Sequence, residues 1–204
     1  MKKSLYVVAG AVVVVLLVTV IFNSKHDPAG YNQEIIRERE AIHTFMAEDP
    51  ASPFKLSAYT FKGLKYYPPD ERYRVTASLE PITDKKIRTL ENSDNSRTEY
   101  LEYAWAKFSL GGAENRLLIL ESTEPGEAHG TLFLAFIDST SANETYGAGR
   151  YLELKKVPAM TSVVLDFNKA KNPYCAYVDR FACPFPPREN ILMIAIKAGE
   201  KNYH

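Results

Sequence analysis

The chain has 204 residues, 46% of them hydrophobic, which is enough for one globular domain and leaves little room for a second. Its 25 Lys and Arg balance its 25 Asp and Glu, so no basic excess points to nucleic acid, and no nucleic-acid partner is expected. Thirteen Tyr, ten Phe and one Trp favour sheet over helix, because aromatic side chains fit a pleated, half-buried surface.

Met1-Lys2-Lys3 precedes an uncharged apolar run from Leu5 to Phe22. At about 1.5 Å per helical residue this run reaches roughly 27 Å, close to the hydrocarbon thickness of a bilayer. A cleaved signal peptide is the competing reading, but Thr19 to Ser24 lacks small residues at alternate positions. No Cys follows the run for a lipid anchor. The reading is therefore an uncleaved signal-anchor over 1–24, with the membrane as partner, a linker over 25–30, and a β-rich globular domain over 31–204. Lys2 and Lys3 hold the short end in the cytoplasm and place the domain on the extracytoplasmic side, a periplasmic location in a bacterium with two membranes, although Lys25 weakens the charge asymmetry.

From Tyr31 to Glu48, Ile35, Ile36, Ile42, Phe45 and Met46 fall near one helical stripe, with Glu34, Arg37, Glu38, Arg39 and Glu40 opposite. Asn32 is the expected N-cap, Asp49-Pro50 the stop, and the domain's own sheet the expected packing partner. Strand patterns follow at 72–79, 86–90, 98–110, 116–121, 131–138, 146–154, 162–167 and 191–197, separated by turns such as Gly111-Gly112 and Glu124-Pro-Gly126. The fold class is thus mainly β: a single antiparallel β-barrel or sandwich-like domain with one N-terminal amphipathic helix, preceded by a transmembrane helix.

Polar and aromatic residues concentrate in the last third. One patch holds Asp138 and Thr145-Tyr-Gly-Ala-Gly-Arg-Tyr-Leu152. The other holds Leu165-Asp-Phe-Asn-Lys-Ala170, Asn172-Pro-Tyr-Cys-Ala-Tyr177, Cys183-Pro-Phe-Pro-Pro-Arg-Glu-Asn190 and Ala198-Gly-Glu-Lys201. These motifs resemble the bacterial and archaeal family known as domain of unknown function 1684, over roughly residues 31–201 and most strongly in the C-terminal third. The family's usual three glycines before the Arg are interrupted here by Ala148. The resemblance implies no particular reaction.

The residues themselves allow several chemistries. Gly147 and Gly149 can turn successive backbone N–H groups toward an anion, with Arg150 adding a planar charged fork; the same pattern also makes a tight bend with Arg150 paired to Asp138 or Asp166. A small ligand, an anion foremost, is expected at Asp138, Tyr146, Arg150, Asp166, Asn168 and Tyr177. Asp138, Asp166 and Asn168 are oxygen donors for a hard cation, but no spacing supports a metal. Glu144, Glu200, Asp138 and Asp166 are candidate acids for a hydrolase, without a spacing rule for any pair. Asn172 and Asn190 are either ligand contacts or side chains that lock nearby backbone. No strand–Gly-loop–helix motif is present, and no cofactor is expected. None of the four His lies in either patch. Cys175 and Cys183, with seven residues between them, are read first as a disulfide that closes a short loop, worth about 2.5 kcal/mol in the chain-entropy model, and otherwise as free or reactive thiols.

Overall fold

The computed structural model describes residues 28–126 and 128–204. The predicted signal-anchor lies outside the described residues; among those described, no helix is long and apolar enough to cross a membrane. The chain enters as helix α1 (Pro28–Glu48) and then builds seven strands: β1 (Arg74–Pro81), β2 (Ile87–Glu91), β3 (Arg97–Leu110), β4 (Ala113–Ser122), β5 (Leu132–Phe136), β6 (Arg150–Leu154) and β7 (Ser162–Asp166). Helix α1 starts within the expected linker, and Asn32 lies inside it rather than at its cap. Pro28 explains the earlier start, because its fixed φ suits a first helical position whose N–H would go unpaired anyway.

All strands join one antiparallel sheet in the order β6-β5-β4-β3-β1-β7, with β2 added beside the first half of β3. Strand β3 runs long enough to serve both neighbours: 97–101 pairs with β2 and 104–107 with β1, and the register shift between Glu102 and Ala104 bends the sheet where the partners change. The sheet curls into a half-barrel. Its ends approach where Tyr151 and Lys171 exchange both backbone hydrogen bonds, 2.8 and 3.0 Å.

The concave face carries the main core, with Ala77, Ala106, Phe108, Leu117, Ile119, Leu134, Phe136 and Leu165 at its centre. On β4, Leu118 and Leu120 are also fully buried on the opposite face, with Leu90 and Tyr100. That is why Leu117–Leu120 reads as a continuous apolar run instead of an alternation.

Two expectations fail here for physical reasons. Residues 191–197 form no strand beyond a single bridge between Ile191 and Ile137. Beside that bridge, Leu192 N–H bonds the Ile137 carbonyl and the Ile194 carbonyl accepts Ser139 N–H, and the pairing stops at Ile196, whose backbone groups go to side chains. Helix α1 does not lie on the sheet: Met46 packs with Phe54, Tyr177 and Val178, flanked by Ile42, Phe45, Tyr174 and Phe181, so the helix seats on the loops that cap one end of the half-barrel. Ile35 is buried, whereas Ile36 turns outward and is 46% exposed.

Candidate functional site

The turn between β5 and β6 puts Asp138 just beyond one strand and Arg150 at the start of the next. Gly149 makes the turn possible: at φ +93° a Cβ there would sit 2.5 Å from the Phe136 carbonyl oxygen and 2.7 Å from Pro186. Gly147 has no such constraint, and the two glycines form a bend, not an exposed anion-binding loop. Gly149 N–H donates to the Tyr146 carbonyl at 3.1 Å.

Arg150 points inward. The Arg150 and Asp138 side chains are 1% and 0% exposed, and Nη2 meets Asp138 Oδ2 at 2.8 Å. The guanidinium also donates to the carbonyls of Ile196 (3.0 Å) and Glu200 (3.2 Å), and to that of Ala198. Asp138 Oδ1 accepts from Thr140 N–H (2.9 Å), Thr140 Oγ1 (2.7 Å) and Ile196 N–H (3.1 Å). This latch draws the C-terminal segment 196–200 onto the end of the barrel. It also ends any pairing of the segment at Ile196, whose carbonyl goes to Arg150 and whose N–H goes to Asp138.

Asp166 and Asn168 form a second, separate group. Asp166 caps the 3-10 turn Phe167–Lys169 through Asn168 N–H and accepts Tyr31 OH at 2.9 Å. Asn168 exchanges bonds with the backbone of Asp70, 2.9 and 2.8 Å, and its carbonyl takes Arg39 Nη2 at 3.0 Å. Together they staple α1 and the 68–74 segment to the end of β7. Burial first, and then the Asp166 carboxylate, push the Tyr31 hydroxyl above its ordinary value.

Tyr177 belongs to a third group. Its hydroxyl donates to Glu200 at 2.8 and 2.7 Å, and Asn172 N–H donates to Glu200 Oε2 at 2.9 Å. Burial raises the Glu200 carboxyl to about 7, against the opposing pull of those hydrogen bonds. Asn190 completes the framework: its amide donates to the carbonyls of Leu118 (2.9 Å) and Ala135 (2.8 Å), and its Oδ1 accepts Leu118 N–H at 2.6 Å. Both Asn172 and Asn190 therefore act as backbone locks.

Tyr146 stands apart from these groups, half-buried, with its hydroxyl 3.9 Å from Cys175 Sγ. The six residues expected to share one ligand thus fall into four groups. The candidate cation ligands and acids are dispersed likewise: Asp138 bonds Arg150, Asp166 bonds Tyr31 and Asn168, Glu144 bonds Tyr67 and Lys197, and the Glu200 carboxyl is buried. A groove of about 630 Å³ opens beside Asn32, Tyr67, Arg72 and Lys197, but Arg72 is paired with Asp70 and Lys197 with Glu144.

The expected disulfide is not formed; Cys175 and Cys183 are free. The loop needs no covalent closure. Ser93 N–H bonds the Cys183 carbonyl and Cys183 N–H bonds Ser93 Oγ, while Asn92 and Pro184 form a bridge, so the turn after β2 already pins the Cys183 end. Tyr31, Arg39 and Ser93 were not singled out by sequence. Each is an ordinary surface-type residue whose role depends on a partner roughly 90 or more residues away.

The class defined by this fold is a one-sheet half-barrel, buttressed by one helix and closed at its end by a buried arginine latch. The chain belongs to the family described as protein of unknown function (DUF1684), whose model matches residues 59–201. It is similar to an uncharacterized protein from Haloarcula marismortui solved by solution NMR, at 33% identity and a TM-score of 0.62, covering 85% of this chain and 95% of that one. Among curated proteins none matches.

Proposed function

We propose that this is a structural domain of the cell envelope, tethered to the membrane by the apolar segment 5–22 and placed on its extracytoplasmic side, in which the Asp138–Asn190 residues serve the fold instead of a ligand or a hydrolytic reaction. The carrying observation is the Arg150 guanidinium, 1% exposed and committed to Asp138 and three main-chain carbonyls. An arginine kept for an anion needs one edge of its fork open to the ligand. Here both terminal nitrogens are spent, and the remaining Nε is buried.

The test is thermal melting of wild type, Arg150→Lys, Arg150→Ala and Asp138→Asn, each with and without acetate, citrate and phosphate. No anion is expected to shift the wild type, and Arg150→Ala and Asp138→Asn are both expected to lose stability. An anion that raises the wild-type Tm, with the shift lost in an equally stable Arg150→Lys, would return the region to small-ligand binding. Placement is checked separately: the full chain should stay with membranes through a carbonate wash, with the domain open to protease added from outside.

A further inference from the structure

Outside the latch, one cluster of reactive groups has no framework duty that explains it. Cys175 sits in the 3-10 turn Tyr174–Ala176, half-buried, and Cys183 is buried behind it. Cys175 N–H donates to Cys183 Sγ at 3.2 Å, which brings the two cysteines into direct contact. The Tyr146 hydroxyl lies 3.9 Å from Cys175 Sγ, and Ser93 Oγ accepts Cys183 N–H at 3.1 Å while it donates to the Phe181 carbonyl. Polar groups from two other loops therefore border the pair, one at each cysteine.

We propose that Cys175 and Cys183 form a redox-active dithiol that exchanges with small disulfides, Cys175 attacking and Cys183 resolving. The asymmetry of the site assigns the roles. Cys175 is the half-buried residue of the pair and Cys183 the buried one, and contact with Cys183 foremost, then the Tyr146 hydroxyl, holds the Cys175 pKa below that of an ordinary thiol. The same pairing, followed by burial, pushes the Cys183 thiol up, so it waits as the protonated partner.

In the first step the Cys175 thiolate attacks one sulfur of RS–SR. A Cys175–S–S–R bond forms, and RS⁻ leaves to take up a proton. In the second, Cys183 gives up its proton and attacks the Cys175 sulfur, the Cys175–Cys183 bond forms, and a second RS⁻ departs. Two protein thiols are oxidised and one disulfide is reduced to two thiols, a balance that needs no other oxidant. Because Ser93 and the bridge from Asn92 to Pro184 already hold the loop, the bond is free to open and close without unfolding it.

This inference does not depend on the role of Arg150, and its test reads sulfur chemistry alone. Reduced full-length protein is incubated with oxidised glutathione, quenched with an alkylating agent and weighed by mass spectrometry. Wild type is expected to lose both free thiols together, to retain no glutathione adduct, and to regain both thiols with reduced glutathione. Cys183→Ser should stop at one glutathione on Cys175, and Cys175→Ser should react at least about tenfold more slowly than Cys183→Ser. Differential alkylation of the folded wild type, which requires no variant, should label Cys175 before Cys183. Equal or reversed labelling, an adduct that persists in wild type, or thiols inert until denaturation would each overturn the proposal.

Discussion

Along β3 and β4, backbone groups pair with each other from Tyr100 and Ser122 to Leu110 and Ala113, and apolar side chains fill the space beneath. Between Asp138 and Glu200 the side chains themselves bond backbone: Arg150 takes three carbonyls and Glu200 one N–H within the segment, and Asn190 takes two carbonyls and an N–H on β4 and β5. The difference bears on what each region tolerates. A ladder bond survives a change of side chain, so the sheet asks of a residue mainly that it be apolar and of suitable size. In the cap the side chain is itself the partner, so its removal leaves buried polar groups with nothing to replace it.

The largest effect that would break this contrast concerns the latch. Arg150→Ala leaves the Asp138 carboxylate buried without its cation, and urea unfolding should show a loss of roughly 3–5 kcal/mol. A loss below about 1 kcal/mol would make the cap as tolerant as the sheet.

Next in size is a dependence on pH. Glu200 has its carboxyl raised to about 7 in the fold from an ordinary 4.5. Its contribution to stability is therefore fully present below pH 4.5 and is lost as pH rises through about 7. At pH 8 the cost approaches about 3 kcal/mol, the opposing pull of the Tyr177 and Asn172 hydrogen bonds being already contained in the raised value. Urea midpoints at pH 5 and pH 8 should differ more for wild type than for Glu200→Gln, whose amide does not titrate; equal differences would remove Glu200 as the cause.

Asn190→Ala tests the cap away from any charge. It strands Leu118 N–H and two carbonyls against the sheet, with an expected cost of about 2 kcal/mol in the same assay. In the sheet itself, Ile119→Val removes one buried methyl group and should cost about 1 kcal/mol, the smallest change of the set. If Ile119→Val exceeded Asn190→Ala, the distinction between the regions would collapse.

These two regions were also unequally legible. Seven of the eight strand patterns correspond to real strands, because alternation and the turns at Gly111-Gly112 and Glu124-Pro-Gly126 are local signals. The segment 191–197 carried the same apolar pattern but forms coil with a single bridge to Ile137, and at Ile196 its backbone groups go to Arg150 and Asp138, partners that local pattern does not reveal. The bend at Gly149 was visible as one of two readings of the glycine pair. The accompanying choice, an arginine aimed inward at Asp138 or outward at an anion, looks the same in a linear pattern.

Composition and periodicity are enough to establish a mainly β domain, with barrel and sandwich both open, a helix before it and a polar C-terminal third, because those depend on neighbours one to four residues apart. Which polar side chain answers which is a different question. Arg150 reaches carbonyls 46 to 50 residues along the chain and Asp138 an N–H 58 residues away. Asp166 meets a tyrosine 135 residues before it. A buried charge takes whichever partner the folded backbone brings within 3 Å, so the conversion of an apparent ligand site into an internal latch is settled by the closing of the half-barrel.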